Sequence, residues 1–271
     1  MDKRANFSVF IVHYSKLYGR KVRLKAILRQ SSIQAIWVTE KKLLNFGISS
    51  LSARTIVGVS TKKFGMDLGV TARSLKFSRR RARFQGYVLF LRSFLSKNNR
   101  YITGSIPPSE QLKPQWLEVQ RMHLSCLVQG IDNEPDWILV LEDDAIPNEI
   151  AFEKVSNIVN GFKPHKTWIN LNSGAGLLRT KTDPKPDANG LFQIKPAATR
   201  CAVAYLISRD LAKEIVESAH IEGIPNWLPI DFYYQLMLRK FKARSYWQDP
   251  PTFTQGSENG IFVSNFAKFR S

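Results

Sequence analysis

Three consecutive acidic residues, Glu142, Asp143 and Asp144, directly follow the apolar run at residues 137–141. A wholly apolar run of five residues is typical of a strand that is buried on both faces of a helix-covered sheet. Adjacent carboxylates repel one another and lose hydration near a core, so the cluster is costly unless a cation binds there. Mg²⁺ and Mn²⁺ commonly bind one or two carboxylates together with the phosphates of a nucleotide. The cluster therefore predicts a divalent-metal site, with helix capping or simple solvent exposure as the alternatives.

The hydrophobic periodicity around this cluster predicts alternating strands and helices. Strands are expected at residues 7–12, 34–38, 137–141, 168–171 and 201–207. Helices are expected at residues 18–29 and 114–130, from Pro147 onward, and after Ser208, which stands where an N-cap is favoured. This alternation predicts an α/β fold with a wound, mostly parallel sheet flanked by helices. Ligands of such sheets bind outside the carboxyl ends of the strands, where the acidic cluster lies.

Length and composition favour one domain. The chain has 271 residues, of which 44% are hydrophobic and 23% charged, and this excludes a disordered or collagen-like protein. We therefore predict a single domain over residues 1–271, with residues 49–110 as a basic insertion of uncertain secondary structure. Cys126 and Cys201 are too few for a disulfide framework. With no recognisable signal peptide or spanning segment, a cytoplasmic location is expected.

The net charge of +18 is unevenly distributed along the chain. Residues 1–100 contain 22 Lys and Arg against 3 Asp and Glu, whereas the remainder is close to neutral. Such a basic half indicates a polyanionic partner, which could be a nucleic acid, an anionic membrane or a phosphorylated ligand. Few aromatic residues accompany the basic run at residues 79–83. Nucleic-acid binding is therefore not expected, because modules for it usually interleave basic and aromatic residues.

Several short motifs together resemble the family 25 glycosyltransferases, which include lipopolysaccharide glycosyltransferases and the collagen galactosyltransferases. The strand that ends in Glu142, Asp143 and Asp144 resembles the "LEDD" signature of that family. His123 stands where the family has a histidine on the preceding helix, and Arg20 matches the end of its "NLxxRxxR" turn.

Three later segments resemble further motifs of the same family, in the family's order. They are "AYxIS" at residues 204–208, "PxD" ending at Asp231, and a closing "P…Q…S" formed by Pro251, Gln255 and Ser257. The likeness covers residues 7–48 and 114–265. The chain departs from the family pattern at two places, because His13 replaces a usual Asn and the family's Gly-Glu-x-Gly-Cys run is absent.

The resemblance implies a GT-A-like fold and an inverting transfer of a hexose from a nucleotide sugar to a hydroxyl group. UDP-galactose is the donor most often implied, with a glycan or glycolipid as the acceptor and Mn²⁺ or Mg²⁺ as the cofactor. A metal that bridges the diphosphate would neutralise the charge that develops on the leaving group. Asp144 and then Glu142 are the predicted metal ligands, and Asp143 is predicted to bind the donor.

The remaining site predictions also follow from the resemblance, and each has a structural alternative. Asp231 is the candidate catalytic base, or the N-cap of the helix that follows it. Arg20 is predicted to bind the donor's pyrophosphate, or to belong to a solvated basic helix face. His123 is a predicted donor-binding residue, or a buried core histidine. Gln255 is predicted to contact the metal and phosphates, or only its own loop.

Two other functional classes compete with the transferase. A non-enzymatic protein that binds polyanions would explain the basic half of the chain. A metal-dependent nuclease or nucleotidyltransferase would also use clustered carboxylates, although such enzymes typically draw them from several strands around two metals. Peripheral contact with an anionic membrane is compatible with an enzyme that acts on a glycolipid, and it is expected at the inner membrane face.

Overall fold

The computed structural model describes residues 7–49, 114–173, 179, 183–195, 197–226, 228–257 and 259–262. Its helices are α1 (Tyr18–Gln30), α2 (Pro114–Asp132), α3 (Ala151–Gly161), α4 (Arg209–Glu222) and α5 (Ile230–Lys240), with a 3₁₀ turn at Glu40–Lys42. Its strands are β1 (Phe7–His13), β2 (Ala35–Thr39), β3 (Ile48–Ser49), β4 (Trp137–Glu142), β5 (Ala145–Pro147), β6 (Thr167–Asn170), β7 (Leu191–Ile194), β8 (Ala204–Ser208), β9 (Ile224–Pro225), β10 (Arg244–Gln248) and β11 (Phe253–Gln255). The predicted basic insertion lies outside the described residues, apart from Ser49.

A seven-stranded sheet with the order β2-β1-β4-β8-β6-β10-β7 forms the centre of the described structure. Strands β2, β1, β4, β6 and β10 run in one direction, because β2–β1, β1–β4 and β6–β10 are parallel pairs on either side of β8. Strand β8 is antiparallel to both neighbours, and β7 is antiparallel to β10. The predicted α/β class is confirmed, and the sheet is mixed with a parallel majority.

Helices cover both faces of this sheet and give it two hydrophobic cores. One core contains the apolar residues of α2, α4 and α5 together with alternate residues of β1 and β4, including Phe10, Ile138 and Val140. The other contains the residues of α1 and α3 that face β1 and β4, including Ile11 and Leu139. Strand β4 is wholly buried before Glu142, as its apolar sequence predicts. Burial on both faces explains why this strand shows no hydrophobic alternation.

Two local predictions require correction. The helix expected from Pro147 begins instead at Ala151, because Pro147 pairs with Phe253 in the two-stranded β5–β11 ribbon. Ser208 occupies the N-cap position of α4, but its hydroxyl donates to Asp210 Oδ1 rather than capping the helix.

Two further predictions concern the cysteines and membrane-spanning segments. Cys126 and Cys201 are both free, so they do not form a disulfide. Of the residues that the structure describes, none belongs to a helix that is long and apolar enough to cross a membrane.

Candidate active site

The acidic cluster lies where β4 ends, and its side chains are directed to different sides of the sheet. Successive residues of a strand point to opposite faces. Glu142 contacts His123 of α2, on the face that α2, α4 and α5 cover. Asp143 contacts His13 of β1 and Arg20 of α1, on the opposite face. The three acids therefore belong to two chemically different environments.

Asp143 is held between two basic side chains. Its Oδ2 lies 2.9 Å from His13 Nδ1, and its Oδ1 accepts a hydrogen bond of 2.9 Å from Arg20 Nη1. His13 and Asp143 are both buried, and the Arg20 side chain is largely so. His13 is the last residue of β1, whose parallel pairing with β4 places it beside the acidic cluster. Arg20 therefore balances the charge of a carboxylate that burial would otherwise make costly.

Asp144 is positioned by the segment that follows β11. Its Oδ2 accepts hydrogen bonds from Ser257 Oγ at 2.7 Å and from Gln255 Nε2 at 3.5 Å. Its carbonyl oxygen accepts from the backbone N–H of Gly256 at 2.8 Å. Arg20 Nη1 lies 3.8 Å from Oδ2, so one guanidinium serves both aspartates. Asp144 is 3% exposed.

The second carboxylate oxygen of Asp144, Oδ1, is buried and has no hydrogen-bond partner among the described residues. A buried carboxylate oxygen without a partner costs free energy, and in native proteins such an atom usually has a ligand, ion or water to complete it. The loop around it is tightly packed, because a Cβ on Gly256 would lie 2.5 Å from Phe262 Cδ2. Phe262 in turn lies against Arg20, whose Cζ is 5.1 Å from the ring centre.

Glu142 begins a chain of hydrogen bonds on the other face of the sheet. Its Oε1 lies 3.2 Å from His123 Nε2, His123 Nδ1 lies 3.1 Å from the Tyr205 hydroxyl, and that hydroxyl lies 3.1 Å from the Tyr234 hydroxyl. Burial raises the pKa of Glu142 well above its usual value, and the charges of Asp144 and Asp143 add to this effect. Burial lowers the pKa of His123 to about 4. The neutral imidazole therefore donates from one nitrogen and accepts at the other.

Close packing of α2 on β4 fixes the position of His123. Gly130 of α2 faces Ile138 of β4, and a Cβ at position 130 would lie 2.6 Å from Ile138 Cδ1. The two elements can approach this closely only because glycine has no side chain. His123 also stacks on Tyr205, with ring centroids 5.8 Å apart. Its ring is thus held by packing as well as by hydrogen bonds.

Asp231 lies in the first turn of α5, on the same side of the sheet as Glu142. The N-cap of α5 is Pro229, so Asp231 does not occupy the capping position. Burial raises the pKa of Asp231 to about 6, and the charge of Glu142 adds to the rise, whereas His123 opposes it. In the described part of the chain, Asp231 Oδ1 is buried without a hydrogen-bond partner. A carboxylate with these properties can exchange a proton near neutral pH.

The cluster fits a divalent cation only if a ligand supplies further oxygens. Within the described ranges, no group of three His, Cys, Asp or Glu side chains is arranged to hold a metal ion. Asp144 nevertheless presents a buried oxygen whose hydrogen-bonding capacity is unused by the residues described. Mg²⁺ sites of nucleotide-binding proteins often have this form, with one or two carboxylates and the phosphates of the substrate.

The structure brings four of the predicted site residues together and separates Glu142, His123 and Asp231 from them. Asp144, Asp143, Arg20 and Gln255 form one contact network. His123 contacts Glu142 across the sheet from that network, and its role toward the donor stays a prediction. Asn170, the last residue of β6, is buried, and its side chain hydrogen-bonds Trp168, Cys201 and Arg200.

Sequence reasoning assigned no role to four residues of the site. They are His13, Tyr205, Tyr234 and Ser257. A signal existed for the tyrosines, because each stands among apolar residues that pack into the core, and a buried hydroxyl usually finds a partner. Ser257 belongs to a motif quoted above, but its contact with Asp144 joins residues 113 positions apart.

No protein-family model matches the chain, and no curated protein sequence matches it either.

Proposed function

We propose that this protein is a metal-assisted, inverting glycosyltransferase that resembles family 25. It transfers a hexose, with galactose as the first choice, from a nucleoside-diphosphate sugar to a hydroxyl of a glycan or glycolipid acceptor. One observation carries the proposal. Asp144 is buried where β4 ends, beside Arg20, and its Oδ1 has no partner within the described residues.

The donor's diphosphate fits beside Asp144. Asp144 would hold Mn²⁺ or Mg²⁺, which supplies Lewis-acid stabilisation of the leaving diphosphate when bound. Glu142, the other predicted ligand, is directed to the α2 face, so the remaining ligands would be oxygens of the donor. Arg20 lies 3.8 Å from Asp144 Oδ2 and can donate hydrogen bonds to a phosphate oxygen. Gln255 contacts the same carboxylate and holds it in place. Asp143 anchors Arg20, and its predicted contact with the ribose or the sugar is part of this proposal.

The acceptor hydroxyl needs a base on the opposite side of the anomeric carbon, because the transfer inverts its configuration. Asp231 is our candidate, since burial raises its pKa to about 6 and Oδ1 has no partner in the described chain. A base with a pKa near the working pH removes a proton efficiently and is still ionised. The mixed sheet with helices on both faces is compatible with the proposed GT-A-like architecture.

Calorimetry with UDP tests the proposal directly. We expect UDP to bind more tightly in the presence of Mn²⁺ or Mg²⁺ than in the presence of EDTA. We also expect slow, metal-dependent hydrolysis of UDP-galactose by the full chain. Equal UDP affinity with and without metal would contradict the proposal, and cleavage of DNA or RNA under the same conditions would favour the nuclease class.

A second candidate function, binding to an anionic membrane, is favoured by helix α1. The helix contains five basic residues and no acidic ones, and only Leu24 and Leu28 are buried. Tyr18 and Val22 are 73% and 50% exposed, one turn apart among these charges. Each basic residue near an anionic surface contributes about 1 kcal/mol to binding. Sedimentation with phosphatidylglycerol vesicles at low and high salt tests this, and a protein that stays in the supernatant at low salt contradicts it.

The membrane candidate can accompany the transferase or stand alone. As an addition, it would bring a cytoplasmic enzyme to a glycolipid acceptor at the inner membrane face. As a replacement, it would leave a non-enzymatic polyanion-binding protein, which the UDP experiment distinguishes.

A further inference from the structure

A second group of buried polar atoms lies at the carboxyl edge of the same sheet. Arg200, which precedes β8, is 5% exposed. Its Nη1 donates to the carbonyl oxygen of Asn172 at 3.0 Å and to that of Gln248 at 2.9 Å. Its guanidinium lies over the ring of Trp247, 4.6 Å from the ring centre. Arg200 thus links the chain just after β6 to the last residue of β10.

The other edge of the Arg200 guanidinium makes no hydrogen bond with the described residues. Arg200 Nε and Nη2 are buried and make no hydrogen bond with any described residue. These two groups form the edge with which arginine binds two oxygens side by side. In the neighbouring Asn172 side chain, both polar atoms, Nδ2 and Oδ1, are also buried and have no hydrogen-bond partner among the described residues. Each such buried group costs free energy when it is unpaired.

The unused atoms specify the chemistry of a ligand that would complete them. Arg200 offers donors alone, whereas Asn172 offers a donor and an acceptor. A carboxylate or phosphate oxygen accepts hydrogen bonds but cannot donate one to Asn172 Oδ1. A hydroxyl group can do both. Burial lowers the pKa of Arg200 to about 10, and the nearby charges of Asp249 and Asp183 oppose this shift. A neutral ligand with adjacent hydroxyls therefore fits better than an anion.

We propose that Arg200 and Asn172 form a saccharide subsite. The Nε–Nη2 edge of Arg200 donates to two neighbouring hydroxyls of a sugar, and the Asn172 amide donates to one of them and accepts from it. The subsite lies where β6 ends, two strands from β4 in the sheet and therefore about 10 Å from it. Its assignment to the acceptor rests on the proposed function, whereas saccharide binding itself does not.

Saturation-transfer NMR on the full chain tests the subsite with three probes: methyl β-galactoside, methyl β-glucoside and methyl α-mannoside. We expect a signal from at least one of them that falls at least fivefold in Asn172→Ala and in Arg200→Lys. Arg200→Lys keeps the charge but loses the paired donors. Arg179→Gln is the matched control, because Arg179 pairs with Asp249 nearby and its loss should leave the signal unchanged.

Thermal unfolding separates a binding role from a structural one. The Asn172 side chain makes no hydrogen bond within the described chain, and Arg200 uses its backbone carbonyl, which alanine retains. We therefore expect Asn172→Ala to lose the saccharide signal with an unchanged or higher unfolding temperature. A variant that loses the signal only because it unfolds at a lower temperature contradicts the proposal.

Three results overturn the subsite: no probe gives a signal above that of glycerol, the signal is equal in wild type and Asn172→Ala, or galacturonate and inorganic phosphate alone bind. UDP calorimetry on the same samples keeps the two proposals apart. Saccharide binding without UDP binding leaves the subsite standing and removes the transferase. UDP binding without saccharide binding removes the subsite and leaves the transferase standing.

Discussion

At the end of β4, the two faces of the sheet surround their carboxylates with different charges. On the α1 face, Asp143 is paired with Arg20 and His13 at 2.9 Å each. On the α2 face, Glu142 contacts His123, whose pKa burial lowers to about 4, so it brings no positive charge at neutral pH. Burial raises the pKa of Glu142 and of Asp231 on this face.

This difference shows how neighbouring acids can have different chemistry within one site. A cation beside a buried carboxylate offsets the cost of burying its charge. A carboxylate that burial destabilises without a cation takes up a proton more readily. The α1 face is thus suited to binding charged groups, and the α2 face is suited to proton transfer. Three variants test this comparison.

Asp144→Asn should have the largest effect. The amide oxygen can still accept from Ser257, so the loop should stay in place, but the negative charge is lost. If Asp144 holds the metal, metal-dependent hydrolysis of UDP-galactose should fall by about 10⁴-fold, equivalent to about 5 kcal/mol. Turnover measured with radiolabelled donor checks this.

The exposed Asp132, at the end of α2, provides a matched control. Asp132→Asn makes the same chemical change away from the site and should retain full activity. Hydrolysis by Asp144→Asn within tenfold of wild type would remove Asp144 from the proposed metal site, while unchanged unfolding temperatures would show that the fold is intact.

Asp231→Asn should lower the transfer rate by about 10³-fold, the effect of losing a general base. In wild type, kcat/KM should rise as the pH increases through about 6, because the base must be ionised. This rising limb should disappear in the variant. If Asp231→Asn keeps both the wild-type transfer rate and the rise of kcat/KM through about pH 6, Asp231 is not the catalytic base.

Asp231→Asn, which should lower activity, should raise the stability of the fold at neutral pH. The folded-state pKa of Asp231, about 6, lies above the unfolded value of about 3.9, so its contribution to stability is lost as the pH rises from about 4 to about 6. Asp231→Asn should therefore be more stable than wild type at pH 7.5 and show no such gain at pH 4. Urea unfolding at the two pH values measures this, and an equal difference at both would contradict the assignment.

Arg20→Met should have the smallest of the three effects, on folding. It leaves Asp143 buried without its cation, which should lower the free energy of unfolding by about 3 kcal/mol. Adding Asp143→Asn should restore part of that loss. Urea unfolding of both variants checks this, with Lys25→Met on the exposed side of α1 as the control. Additive effects of the two substitutions would show that the pair is not coupled.

The sequence by itself determined five of the seven strands of the central sheet and the position of the acidic cluster, whereas β7 and β10 were not predicted. Residues 137–141 are apolar throughout because both sides of β4 face a core, and this pattern is local enough to be recognised without a structure. Helix α1 and strand β1 were placed within one residue at each end for the same reason. The antiparallel direction of β8 was not predicted, since its apolar run looks the same in either orientation.

Only the tertiary structure decided which charges meet. Asp143 is separated in sequence from His13 by 130 residues and from Arg20 by 123, and Asp144 from Ser257 by 113. Nothing in the local pattern assigns Asp143 to one face with a cation and Glu142 to the other without one. Alternation along the strand sets the two directions, but the charges around each carboxylate depend on what the rest of the chain brings to that face. Electrostatic energies fall off with distance in space, and separation along the sequence does not enter them.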